Sequence, residues 1–173
     1  MIAIINASPL IFLGKIGAIK LIPKLFSQCF TTSTIKNEVL RNKTDPEYPV
    51  LEKCFSDWLT IKEPKNQRFI KRLVDLQIHL GEASIIALGK EFQEQSKENV
   101  IIIDDLTARE IARTLELKII GTLGVILRIL HSRIATKKEC KEYLKTLIET
   151  TSFRISAELY SKILEELESF KSK

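Results

Sequence analysis

Residues 100–110 read VIIIDDLTARE: four β-branched apolar residues, two aspartates, then a stretch whose apolar positions recur every three to four residues. An apolar run without alternation is what a strand needs when helices cover both of its faces. A second run of this kind, Ile2 to Asn6, opens the chain, and Gln28 to Thr32, Leu59 to Lys62 and Lys118 to Gly121 are shorter strand candidates. Helical patterns fill the intervals over Thr34 to Arg41, Arg68 to Leu76, Glu82 to Gln95 and Thr107 to Leu115. Thr107 with Glu110 has the spacing of a capping box, Pro9 marks a helix start and Pro23 a break. After Thr122 the pattern is helical only, over Leu123 to Arg133, Lys137 to Ile148 and Ala157 to Phe170. Strands alternating with helices predict an α/β fold around a parallel sheet, followed by C-terminal helices.

The 173 residues, 45% of them hydrophobic, suffice for one sizeable core. One domain over 1–173 is expected, with an α/β core at 1–125 and a helical part at 126–173. The net charge of +5 and a pI near 9.1 would draw a polyanion, but 27 basic and 22 acidic residues interleave along the chain, so the excess says little. Cys29, Cys54 and Cys140 are odd in number, far apart and without a CxxC pair, which fits buried reduced thiols in a cytoplasmic protein. No run reaches the roughly 18 to 20 apolar residues of a membrane span, and Met1 leads straight into Ile2 without a cationic leader.

Oxygen ligands stand where strands end or helices begin. Asn6 closes the first strand, Glu38 lies on the helix after the second, Glu82 opens the helix before the fourth, and Asp104 with Asp105 closes the fourth. In an open parallel sheet ligands bind beyond the carboxyl ends of the strands, so these positions can converge on one edge. Carboxylates gathered there repel one another unless a proton or a hard cation neutralises them, which points to Mg²⁺ or Mn²⁺. Each residue also has a plainer reading. Glu38 alone is a solvated helix residue, and Glu82 complements a helix dipole. Asp104 and Asp105 suit a turn; of the two, Asp105 is favoured to face the metal. Asn6 either holds the metal or caps the helix near Pro9, where Ser8 is the better cap.

The motifs INASPLIFLGKIG, LGEASIIAL, IIIDDLTAR, KIIGTLGVIL and FRISAELYSKIL, in this order, resemble the PIN-domain family, in particular an uncharacterised subgroup related to the VapC toxin ribonucleases. The resemblance covers nearly the whole chain. It implies a three-layer α/β/α sandwich with about five parallel strands, Mg²⁺ or Mn²⁺ as cofactor, and endonucleolytic cleavage of single-stranded RNA. It also implies a homodimer and, for a toxin, a small antitoxin partner. By this likeness Glu38, Glu82 and Asp105 are the catalytic acids, with Asp104 beside them and Ser8 in support. The pattern departs at Asn6, where the family has aspartate, and at Ser84, where the subgroup often has glutamate, so each change removes a carboxylate.

Two rival readings stand beside this one, the first marked by those departures. One is a catalytically degenerate PIN fold that binds RNA or protein without cutting. The other is an interaction module whose C-terminal helices, from Ile155 to Phe170, dock on a partner. Arg109 is either a contact to RNA phosphate or a solvated helix charge. Thr122, in the GTLG stretch, is read as the cap of the next helix and as a second substrate contact. His79 and His131 have no neighbours in sequence that would make a triad or metal cluster, and are read as structural or surface residues.

Overall fold

The computed structural model of the chain describes residues 1–170; residues 171–173, the end of the expected helical part, lie outside the described residues. Five strands, β1 (Ile2–Ile5), β2 (Gln28–Thr31), β3 (Leu59–Ile61), β4 (Asn99–Ile102) and β5 (Ile119–Ile120), form one sheet in the order β3-β2-β1-β4-β5. All four pairings are parallel, and Ile2 to Ile5 stand opposite Asn99 to Ile102. The chain winds outward through β2 and β3, then returns to β4 on the other side of β1. The carboxyl ends of β1 and β4 therefore flank the point where the strand order reverses, where such sheets bind ligands.

The two central strands are apolar because both faces are covered. β4 is buried throughout and β1 from Ala3 onward. Helix α6 (Leu80–Glu94) lies across β1 and β4, with α3 (Ser33–Val39), α5 (Gln67–Asp75) and α7 (Leu106–Thr114) against it. A second group packs α1 (Ala7–Lys15) on α8 (Thr122–His131), and α8 on α9 (Lys137–Thr150) and α10 (Ala157–Ser169). The result is the expected three-layer α/β/α sandwich. Helix α10, the element proposed for docking, packs one face on the domain through buried Ile163 and Leu167, with His131 Nε2 of α8 3.3 Å from Glu166 Oε1, and leaves most of its other residues exposed.

Strand positions agree with expectation to within a residue or so; the helix starts are where the reading needs correction. Thr107 caps nothing: Asp105 is the cap of α7, its Oδ1 accepting the Ala108 amide at 2.8 Å. A strand that ends at Ile102 leaves only three residues before the helix, so the second aspartate falls on the cap position. Thr122 is the first residue of α8 and Gly121 holds its cap position. Ser8 lies inside α1, and Asn6, at the cap position, makes no capping hydrogen bond with its side chain. Pro23 sits in the first turn of the short helix α2 (Ile22–Leu25) rather than breaking one, and α4 (Tyr48–Asp57) was hidden in sequence by Pro49, which likewise sits in the first turn, where proline is tolerated.

The three cysteines are buried. Burial pushes the thiols up, Cys29 to about 12 and Cys54 and Cys140 to about 11, so none is poised as a thiolate. Among the described residues no helix is long and apolar enough to cross a membrane.

Candidate active site

Asn6, Ser8, Glu38, His79, Gly81 and Glu82 line an open cleft of about 320 Å³ at the carboxyl edge of the sheet. Three local devices bring them together. Asn6 extends the β1–β4 ladder by one bond, its amide donating to the Ile102 carbonyl at 3.0 Å, which fixes the residue just beyond the strand. The Thr31 hydroxyl donates to the Ile5 carbonyl at 2.8 Å, and the Thr32 and Ser84 hydroxyls lie 2.9 Å apart, tying the end of β2 to β1 and to α6. Gly81 then lets α3 approach α6. A Cβ at that position would stand 2.8 Å from Ile35 Cδ1 and 3.4 Å from Glu38 Oε2.

The electrostatics of the cleft are unresolved by the protein itself. Half-buried Glu82 has its carboxyl pushed above the usual range, first by loss of water, then by the charge of Asp105 and, more weakly, of Glu38; His79 opposes the shift. Among the described residues none of Glu38, Glu82 and Asp105 forms an ion pair. Asn6 is 3% exposed, and among the described residues no donor reaches its buried Oδ1. An unsatisfied carbonyl oxygen of this kind costs about 1–3 kcal/mol unless something else meets it. A carbonyl oxygen beside carboxylates is the donor set a hard divalent cation takes. The residues present therefore fit such an ion, although among the described residues no three His, Cys, Asp or Glu side chains are already gathered closely enough to hold one.

The other residues singled out in sequence take different places. Asp105 is exposed, near enough to Glu82 for its charge to be felt there. Asp104 turns away, both its oxygens engaged by Thr122. Burial raises its carboxyl, while the Thr122 bonds and the Arg109 charge pull it down. Arg109 donates from Nη1 to the Ile103 carbonyl at 2.9 Å and is half-buried rather than solvated; burial lowers its pKa. Ser84 is buried, its hydroxyl donating to the Gly81 carbonyl at 2.6 Å, so it braces the helix start and does not line the cleft. His79, set aside in sequence, lines the cleft at the cap position of α6. Its spacing three residues before Glu82 was the available signal, since that is the span of a capping box.

A family model described as DUF3368, PIN domain, matches residues 2–169. The chain belongs to the PIN-domain family. PIN domains are generally nucleases that use divalent metal ions. No curated protein matches the chain.

Proposed function

We propose that this PIN domain is a metal-dependent endoribonuclease acting on single-stranded RNA, with Asn6, Glu38, Glu82 and Asp105 holding Mg²⁺ or Mn²⁺. The observation that carries the reading is a half-buried Glu82, its carboxyl pushed up by lost water and the charges of Asp105 and Glu38 more than His79 offsets, in one cleft with Glu38 and the buried Asn6 oxygen. A bound divalent ion supplies an activated water and neutralises charge at a phosphate. The carboxylates keep that position charged and oriented, Ser8 supports it, and His79 offers the anionic backbone an imidazole on the cleft wall. The open cleft admits an unpaired strand, and affinity for its phosphates should fall with salt. In the toxin reading the chain forms a homodimer, acts in the cytoplasm and is silenced by a small antitoxin.

A second reading, an RNA- or protein-binding PIN fold without cleavage, is favoured by Asn6 standing where the family pattern has a carboxylate. Incubating the pure protein with single-stranded RNA and Mn²⁺ separates the two. Cleavage that disappears with chelator and in Glu82→Gln supports the nuclease; binding without cleavage at saturating Mn²⁺ supports the second reading.

A further inference from the structure

Two adjacent aspartates leave β4 and do opposite things. The Thr122 backbone N–H donates to Asp104 Oδ1 at 2.7 Å, and the Thr122 hydroxyl donates to Oδ2 at 2.6 Å. Arg109, from α7, donates to the Ile103 carbonyl at 2.9 Å. Gly121 leaves the room for this arrangement, because a Cβ there would come within 2.7 Å of Arg109 Nη1 and 2.8 Å of Asp104 Oδ1. The turn between β4 and α7 is thus held from α7 and from the start of α8 together. Asp105, one residue on, uses Oδ1 on the Ala108 amide and is exposed.

We propose that Asp104 is a positioning residue rather than a metal ligand. Its clamp on Thr122, with the Arg109 bond to Ile103, fixes the turn so that Asp105 caps α7 while presenting its carboxylate toward Glu82. The proposal rests on the reading that Asp105 helps to hold the cation. A ligand acts through its charge, whereas a clamp acts through hydrogen bonds that an amide can reproduce. In Asp104→Asn, Oδ1 still accepts the Thr122 amide, and Nδ2 donates to the Thr122 hydroxyl, which turns to accept.

The test compares Asp104→Ala, Asp104→Asn and Thr122→Val by calorimetric Mn²⁺ titration and by hydrogen exchange at the Ala108 amide. Asp104→Ala should weaken Mn²⁺ binding about tenfold, the scale on which residues that orient ligands act. It should also speed exchange at Ala108 while the Ile4 and Ile101 amides of the central strands stay protected. Thr122→Val should move both readouts in the same direction, which covers the case in which Asp104→Ala does not fold. Asp104→Asn should return Mn²⁺ affinity to within about twofold of the wild type, since its bonds are kept. An asparagine variant as weak as the alanine variant would make Asp104 a ligand and overturn the proposal. If the wild-type chain binds no Mn²⁺, the metal reading fails by itself and Ala108 decides the clamp: protection lost in alanine and kept in asparagine supports it, and protection unchanged in both overturns it.

Discussion

Two buried asparagines stand at opposite ends of the same sheet. Asn99 begins β4 at the amino edge, and its Nδ2 donates to the Gly89 carbonyl at 3.3 Å and to the Lys97 carbonyl at 3.0 Å. It fastens α6 to the strand beneath it, where the approach is so close that a Cβ on Gly89 would fall 2.6 Å from Ile101 Cδ1. Asn6 follows β1 at the carboxyl edge and is as deeply buried; among the described residues no donor reaches the side-chain oxygen of either asparagine, so what separates the two is the charge around them. At the amino edge Glu98 meets Lys118, whereas at the carboxyl edge Glu38, Glu82 and Asp105 are without ion pairs among the described residues. One edge pairs its charge within the chain. The other leaves carboxylates without an ion pair among the described residues, and on the proposed reading their repulsion costs the metal-free protein stability until a cation neutralises it.

The sharpest way to break this contrast is to remove charge from the carboxyl edge. Glu82→Gln and Asp105→Asn keep the shape of each side chain, so RNA cleavage should fall by at least about a hundredfold while metal-free stability holds or rises slightly. Cleavage by oligonucleotide assay and unfolding by calorimetry read the two effects separately. Wild-type rates in either variant would mean that the site has been misplaced.

Exchanging each asparagine for aspartate tests the comparison directly. At Asn99 the new carboxylate would face two carbonyl oxygens with both donors lost, and the protein should lose about 2–3 kcal/mol of stability with no gain in metal affinity. At Asn6 the new charge would join the carboxylates of the cleft. Coulomb attraction to a divalent ion is worth on the order of a few kcal/mol at an effective dielectric near 20, before desolvation reduces it. A part of that gives about a tenfold gain in Mn²⁺ affinity, read by titration. Equal responses at the two positions would erase the distinction between the edges.

How much of this was legible in the sequence follows from the range of the forces involved. The strands were readable because β1 and β4 are apolar on both faces, a local property of consecutive residues. That Asn6, Glu38 and Glu82 share a cleft was readable from strand ends and a family pattern. The division of labour between Asp104 and Asp105 was not, because it depends on Thr122, eighteen residues away and brought close only by β5 pairing with β4. His79 was lost for a similar reason: it shares the cleft with Asn6, which follows β1, and Glu38, on α3, both far from it in sequence. Helix α4 was hidden by Pro49, whose effect depends on which turn it occupies.

A smaller effect should appear in the pH dependence of the metal-free protein. The Glu82 carboxyl binds its proton more tightly folded than unfolded, so its contribution to stability is fully present below the unfolded value, ordinarily 4.5, and is lost as pH rises through the raised folded value. Against Glu82→Gln, the metal-free wild type should therefore lose ground as pH climbs from about 4.5 toward neutrality, measured by denaturant unfolding. Asp104 is also raised by burial, but it is present in both proteins and drops out of the difference. At saturating Mn²⁺ the sign should reverse, because the ion binds the ionised carboxylate. A difference that stays flat with and without Mn²⁺ would mean that Glu82 does not sense its neighbours.

The smallest expected change belongs to the amino edge. Glu98 and Lys118 lie 3.2 Å apart, with 59% and 64% of their side chains exposed. Water screens such a pair, and holding two long side chains in one geometry offsets most of the attraction, so Glu98→Gln should alter stability by no more than about 0.5 kcal/mol. Cleavage and Mn²⁺ affinity should not move at all, because the pair stands at the far end of the strands from the cleft, well beyond the roughly 10 Å over which exposed charges act at moderate salt. The substitution removes one carboxylate, as Glu82→Gln does, and changes the net charge of the chain by the same amount. If the loss of cleavage in Glu82→Gln arose from altered overall charge and RNA attraction, Glu98→Gln would share it. If it arises from the carboxyl edge, only Glu82→Gln will show it, with the chain's total charge held equal between the two.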